Sequence, residues 1–104
     1  MFTKKTTLII PTKDRSSKLI KLLKKIINLK INFNEIIVVD SSNQRHKNNI
    51  SKFLKTKKIK FISTYPSTTH QRNIGLKRRR KDSEFILFLD DDIRISIKSF
   101  KEMN

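Results

Sequence analysis

The chain has 104 residues, with 25 Lys and Arg against 9 Asp and Glu, so its formal net charge at pH 7 is +16. This length allows one domain at most, and the absence of Cys excludes a disulfide framework and a Cys-based zinc site. No apolar run approaches the ~20 residues that cross a bilayer, and we expect no signal peptide because no apolar segment follows the N-terminal lysines.

The first two predicted elements are a strand and an amphipathic helix. Residues 6–10 are β-branched and apolar and predict a buried strand that Pro11 ends. A helix is predicted over residues 18–29, with Ser16 and Ser17 offering N-cap hydroxyls. Its lysines lie opposite an apolar stripe, a pattern typical of a helix on a sheet and also of a helix on a membrane, and we favour the sheet. The stripe consists of Leu19, Leu22, Leu23, Ile26 and Ile27.

The remaining elements continue the alternation of strand and helix. They are a nearly continuous apolar strand over residues 35–40, a short helix over 48–56, a weaker strand over 59–63, a helix over 70–81, a strand over 85–89 and a last helix over 96–103. Such alternation predicts βαβ units. The predicted fold class is therefore α/β, half of a doubly wound domain with a mostly parallel sheet of about four strands and flanking helices.

Acidic residues are scarce, and five of the nine lie at or just past the C-terminal ends of predicted strands: Asp14, Asp40, Asp90, Asp91 and Asp92. Ligands of open α/β sheets bind at that edge. An Asp in a turn also bonds nearby backbone N–H groups, which suffices to explain Asp14 and Asp40. It does not explain the triplet, because three adjacent carboxylates repel one another and a divalent cation such as Mg²⁺ or Mn²⁺ would offset the repulsion. We predict a metal or metal–phosphate role for it.

A second polar segment, residues 68–76, opens the predicted helix over 70–81. The helix N-terminus attracts anions, and Arg72 adds a forked donor for phosphate or a base carbonyl. Gly75, the only glycine, costs ~1 kcal/mol inside a helix relative to Ala, which indicates either tight helix–strand packing or close approach of a ligand. His46 and His70 lack further ligands at a metal-binding spacing, and we interpret them as surface or cap residues.

Four segments in this order resemble the GT-A glycosyltransferases of family 2: residues 8–15 (LIIPTKDR), 37–42 (IVVDSS), 71–76 (QRNIGL) and 88–92 (FLDDD). They keep roughly the family's spacing, and from the first segment to the last they span most of the chain, residues 8–92. The resemblance implies a truncated GT-A (Rossmann-like) half-domain. Residues 1–104 would form the N-terminal donor-binding part of a family 2 domain, without its acceptor-binding part.

The resemblance also implies which residues contact the nucleotide sugar. Pro11, Thr12 and Arg15 match the loop that wraps the nucleotide. Asp40 matches the acid that hydrogen-bonds the base, often uracil. Arg72 matches the arginine that helps to hold the base or the diphosphate.

The acidic triplet matches the family's DXD motif. The resemblance assigns Asp90 and Asp91 to nucleotide-sugar binding, and Asp90 and Asp92 to a Mn²⁺ or Mg²⁺ ion that holds the diphosphate. The catalytic residue is unknown, because the family's general base is expected beyond Asn104.

The function implied is metal-dependent, inverting transfer of a sugar from a nucleotide-diphospho-sugar, with a UDP-sugar favoured, to an acceptor hydroxyl in glycan or polysaccharide biosynthesis. We expect the chain alone to be inactive, with a missing C-terminal half or an oligomer partner, and to be cytoplasmic, at the inner face of an anionic membrane. The alternative is a small basic module that binds nucleic acid or an anionic membrane. Nucleic acid is not favoured because the basic run 77–81 lacks interleaved aromatic residues. A codon bias towards lysine also explains the excess charge.

Overall fold

The computed structural model describes residues 6–91, in which strands and helices alternate. The elements are β1 (Thr6–Thr12), α1 (Ser16–Asn28), β2 (Glu35–Asp40), α2 (Gln44–Leu54), β3 (Lys60–Ser63), α3 (Thr68–Arg78) and β4 (Phe85–Phe88). All the described strands pair in parallel, in the order β3-β2-β1-β4. The predicted α/β class is confirmed, while the helix predicted over residues 96–103 lies outside the described residues.

Pro11 lies inside β1 and does not end it, which corrects the predicted strand end at residue 10. The backbone groups of successive residues point alternately to the two neighbouring strands, and the carbonyl of Ile9 accepts from Leu89 N at 3.2 Å on the β4 side. Pro11 therefore turns its nitrogen towards β4 as well, where pairing has already ended at Ile9. Its missing N–H breaks no ladder hydrogen bond, so β1 continues past the end of β4.

Helices cover both faces of the sheet. One face packs against α1 and α2 through a core of buried residues: Leu8, Ile10, Leu19, Leu22, Leu23, Ile26, Val38, Ile50, Leu54 and Leu89. The other face packs against α3, where Ile74 and Leu76 contact the buried Ile9, Ile37 and Val39. Each fully buried aliphatic side chain stabilises the fold by roughly 1.5–3 kcal/mol. Among residues 6–91, no helix has the length and apolar character needed to cross a bilayer.

The first helix differs from its prediction at its start and at one position of its stripe. Arg15, not a serine, occupies the N-cap and makes no side-chain cap hydrogen bond. Ser16 is already helical, and its hydroxyl lies 2.8 Å from Nδ1 of His46, so the predicted serine cap is wrong. Ile27 is 42% exposed because it lies at the edge of the apolar stripe.

The next two helices begin earlier than predicted because of caps that the apolar pattern does not reveal. α2 begins at Gln44, not at residue 48, since Oδ1 of Asn43 accepts from His46 N at 3.2 Å. α3 begins two residues before residue 70 and ends at Arg78, with Oγ of Ser67 accepting from His70 N at 3.3 Å.

Gly75 allows α3 to lie close to the sheet. A Cβ atom at this position would be 2.6 Å from Cγ2 of Ile9, a distance that two carbon atoms cannot share. Tight helix–strand packing therefore explains the only glycine of the chain.

Candidate functional site

The strand order creates a crevice at the carboxyl edge of the sheet. After β1 the chain adds β2 and β3 on one side and then β4 on the other, so the helices that follow β1 and precede β4 lie on opposite faces. Such a switch point is where open α/β sheets bind ligands. A cavity of about 230 Å³ opens there, and its lining consists of Pro11, Thr12, Lys13, Arg15, Gln71, Asp90 and Asp91.

The cavity brings together most of the predicted site residues and adds two. Pro11, Thr12 and Arg15 come from the end of β1 and the loop after it, and Asp90 and Asp91 come from the end of β4. Lys13 and Gln71 also line the cavity, and neither was predicted from the sequence as a site residue. Asp92 lies outside the described residues.

Asp91 is the acid that the crevice holds in place. Its carboxylate is 5% exposed and accepts a hydrogen bond from Oγ1 of Thr12. The Nη1 atom of Arg15 lies 3.3 Å from its other oxygen, Oδ1. Asp91 therefore ties the end of β4 to the loop after β1 and orients the arginine at the crevice.

Asp90 is exposed at the rim. Its carboxylate is 57% exposed, and Oδ1 lies 4.0 Å from Nη2 of Arg72, whose guanidinium carbon is 5.5 Å from the ring centre of Phe88. An exposed pair at this distance contributes little to stability. Arg72 lies next to the cavity without lining it, and Asp90 presents its carboxylate to solvent at the opening.

Gln71 joins the start of α3 to the ends of two strands. Its buried Nε2 donates to the carbonyl of Thr12 at 3.0 Å and to that of Val39 at 2.8 Å. Oε1 accepts from Oγ of Ser41 at 3.5 Å. This side chain positions the helix N-terminus beside the crevice. Its signals in the sequence were its place in the first turn of the predicted helix and in the segment 71–76 that resembles the family.

Asp40 is fully buried and does not line the cavity. Its Oδ1 accepts from Oγ of Ser42, and Oδ2 accepts from Ser42 N at 3.1 Å and from Nζ of Lys47 at 3.0 Å. Asp14, at a φ of 52°, likewise accepts from Asn43 N at 2.8 Å. Both acids organise the loops after β1 and β2, as an Asp in a turn does, and the base contact of Asp40 stays a prediction.

Within the part of the chain that the structure describes, no three His, Cys, Asp or Glu side chains come close enough to hold a metal ion. Asp91 is already bonded to Thr12 and Arg15, which leaves Asp90 as the accessible carboxylate of the cavity. Mg²⁺ usually keeps only one or two carboxylates and takes its other ligands from water and substrate phosphate. The residues present fit a cation shared with a phosphate ligand and do not form a complete protein cage.

Comparisons with known proteins agree with this architecture. The model of the family Glycosyl transferase family 2 matches residues 7–103. A crystal structure of S. aureus TarS, residues 1–349, matches with a TM-score of 0.68 and 27% sequence identity over 95% of this chain. This chain covers 31% of that one, so it spans less than a third of the structure it matches. A comparison with curated proteins gave no match.

Proposed function

The chain belongs to glycosyl transferase family 2, which confirms the resemblance, and on this basis we propose that it binds a nucleotide-diphospho-sugar for transfer of the sugar to an acceptor hydroxyl. The observation that carries the proposal is the crevice between β1 and β4, because it combines a switch point of the sheet with fixed charges of both signs. Cationic side chains there match a diphosphate, and a carboxylate at the rim matches a metal or a ribose hydroxyl.

The loop after β1 supplies the cations of this site. Lys13 and Arg15 are exposed and line the cavity, and Asp91 orients the guanidinium of Arg15. Arg72 adds a further positive charge beside the rim. We propose that these groups attract and orient the diphosphate, whose charge increases at the leaving group as the sugar departs.

The cavity formed by the described residues is large enough for part of the nucleotide-sugar donor and too small for all of it. Small-molecule sites usually have volumes of roughly 300–1,000 Å³. The crevice, at about 230 Å³, accommodates a diphosphate and an adjoining group but not a whole nucleotide sugar. We propose a uridine donor and inverting transfer on the resemblance alone.

A divalent cation, when bound, supplies positive charge that stabilises the departing diphosphate. We propose that Asp90 holds it together with Asp92 of the DXD motif. The fit rests on the exposed carboxylate of Asp90 at the crevice opening.

Calorimetry with UDP and Mn²⁺ tests the proposal. We expect UDP to bind in the presence of Mn²⁺, and Asp90→Asn to weaken binding by at least about tenfold, since a charge-assisted contact is worth roughly 1.5–3 kcal/mol. Asp82→Asn is the matched control, because Asp82 is equally exposed, at 59% against 57%, but lies before β4 at the opposite sheet edge. Absence of heat with both UDP and GDP in the presence of Mn²⁺ would contradict donor binding. Equal losses in the two variants would contradict the role of Asp90.

A further inference from the structure

One layer of the molecule is rich in basic residues and contains no acidic residue of its own. α1 and α2 cover the same face of the sheet. The segments that build this layer, residues 16–34 and 41–59, contain eleven Lys or Arg and no Asp or Glu. The layer is therefore uniformly cationic and lies on a different side of the molecule from the crevice.

The outer side of this layer is formed by exposed lysines. α1 turns its apolar stripe to the core, so its lysines point outwards, and two lysines at the end of α2 are exposed beside them. We define the basic helix face by these residues: Lys18, Lys21, Lys24, Lys25, Lys52 and Lys55. Among residues 6–91, none of the six forms an ion pair with a carboxylate, because the ion pairs there involve other basic residues.

The basic helix face also contains apolar surface. Ile27 is 42% exposed next to the lysines of α1. Phe53 of α2 is half-buried beneath two ammonium groups, with Nζ of Lys24 at 6.0 Å and Nζ of Lys57 at 4.9 Å from its ring centre. Cationic and apolar side chains are therefore mixed on this face, as they are on helices that lie at the surface of a bilayer.

We propose that the basic helix face docks on the surface of an anionic lipid bilayer. Anionic headgroups would supply the negative charge that the layer itself lacks, and each lysine near such a surface increases the partition by about fivefold. The attraction decays over about 10 Å at 0.1 M salt, so the lysines of this face act while those on the far side of the sheet contribute little. Docking through this face leaves the crevice at the carboxyl edge open to solvent.

The composition of the layer favours lipid over nucleic acid. Ten of its eleven basic residues are Lys and one is Arg, whereas Arg is the residue that pairs in bidentate fashion with phosphates and base edges. The exposed aromatic residues among residues 6–91, Tyr65 and Phe85, lie outside this layer, so it offers no exposed ring on which a base could stack.

Vesicle sedimentation tests the proposal with two variants that each lose three positive charges. One combines Lys18→Gln, Lys21→Gln and Lys25→Gln, and the control combines Lys77→Gln, Arg78→Gln and Lys81→Gln at and after the end of α3. We expect the chain to bind vesicles containing phosphatidylglycerol and not vesicles of pure phosphatidylcholine. The first variant should weaken binding by at least about tenfold and the control by less than about threefold. Equal losses, or no binding by the unsubstituted chain, would overturn the proposal.

A fluorescent reporter identifies the docked face without removing any charge. The chain has no Trp, so Ile27→Trp places a single indole on the basic helix face. Its emission should shift to shorter wavelength on vesicles containing phosphatidylglycerol, while Tyr65→Trp, at the end of β3, should not shift. A shift at Tyr65 alone would overturn the proposal. Tighter binding to a DNA duplex than to these vesicles, weakened by the α1 substitutions, would also overturn it by identifying nucleic acid as the partner.

Discussion

Glu35 at the amino edge of the sheet and Asp91 at the carboxyl edge are both buried, and their surroundings differ. At the amino edge, Glu35 accepts hydrogen bonds from Oγ1 of Thr7 at 3.0 Å and from the backbone N of Arg80, and its Oε2 lies 2.8 Å from Nζ of Lys60. These contacts join β1, β2 and β3 to the segment before β4. We call this the closed edge, because its buried carboxylate is held by contacts with three neighbouring segments.

The carboxyl edge is open. Asp91 is as buried as Glu35, at 5% against 9% exposure, but it lines a cavity and has the exposed Asp90 beside it. A buried, hydrogen-bonded acid therefore does not by itself identify a binding site. What distinguishes the carboxyl edge is the switch in strand order between β1 and β4, which places α1 and α3 on opposite faces and leaves space next to the charge.

The largest expected effect comes from truncating the two buried acids. Glu35→Ala removes the buried acceptor that Thr7, Arg80 and Lys60 share, and it should lower the free energy of unfolding by ~2–3 kcal/mol, chiefly because the backbone N–H of Arg80 loses its partner. Asp91→Ala should cost only ~1 kcal/mol, because water in the crevice can reach the groups left behind. Urea unfolding of both variants measures the difference.

Ligand binding should respond in the opposite order. Asp91→Ala should weaken binding of UDP with Mn²⁺ by about tenfold through the loss of an oriented Arg15, whereas Glu35→Ala should change it by less than about threefold. If Glu35→Ala proves less destabilising than Asp91→Ala, or if it alone abolishes binding, the division between a structural and a functional edge is wrong.

A smaller effect is expected from Gln71, which connects the open edge to α3. Gln71→Ala removes the buried donor of two carbonyls and should lower the free energy of unfolding by ~1–2 kcal/mol. It should also weaken UDP binding, since the helix N-terminus is no longer held beside the crevice.

The matched control is Gln44→Ala. Gln44 also lies in the first turn of a helix, but among residues 6–91 its side chain bonds only to Asn48, on the exposed surface, so we expect a change below ~0.5 kcal/mol. Similar losses in the two glutamine variants would show that burial of Gln71 contributes nothing beyond its place in the helix.

The sequence predicted the order of elements well because strands and helices differ in apolar period. β2 was predicted at its observed bounds, residues 35–40, since this run is rich in β-branched residues and too short for a helix. The predicted start of α2 was wrong because the capping residue, Asn43, comes well before the first apolar residue of that helix.

The site was predicted less completely because its contacts join distant segments. The role of Gln71 depends on where the ends of β1 and β2 meet, which no local pattern contains. The sequence of adjacent acids does not show which side chain points inwards. That Asp91 is buried and Asp90 is exposed is decided by the packing of the end of β4 against the loop after β1.

The smallest effect should appear in the pH dependence of stability, and it belongs to the closed edge. Burial raises the pKa of Glu35, but the hydrogen bonds from Lys60, Arg80 and Thr7 and the charge of Lys60 outweigh it, so the pKa lies below the usual glutamate value. Between the pKa values of Glu35 in the folded and the unfolded chain, the unfolded chain binds more protons. The stabilisation by Glu35 is therefore fully present above the unfolded pKa, and it is lost as pH falls through the folded pKa. Urea unfolding in acid should show this decline in stability, and Glu35→Gln should flatten it.

The control is Asp82. The pKa of Asp82 is lowered as well, first by its hydrogen bond from Asn34, but this acid is exposed, so Asp82→Asn should leave the decline nearly unchanged. If the decline persists in Glu35→Gln and disappears in Asp91→Asn, the pH dependence of stability arises at the carboxyl edge and not at Glu35.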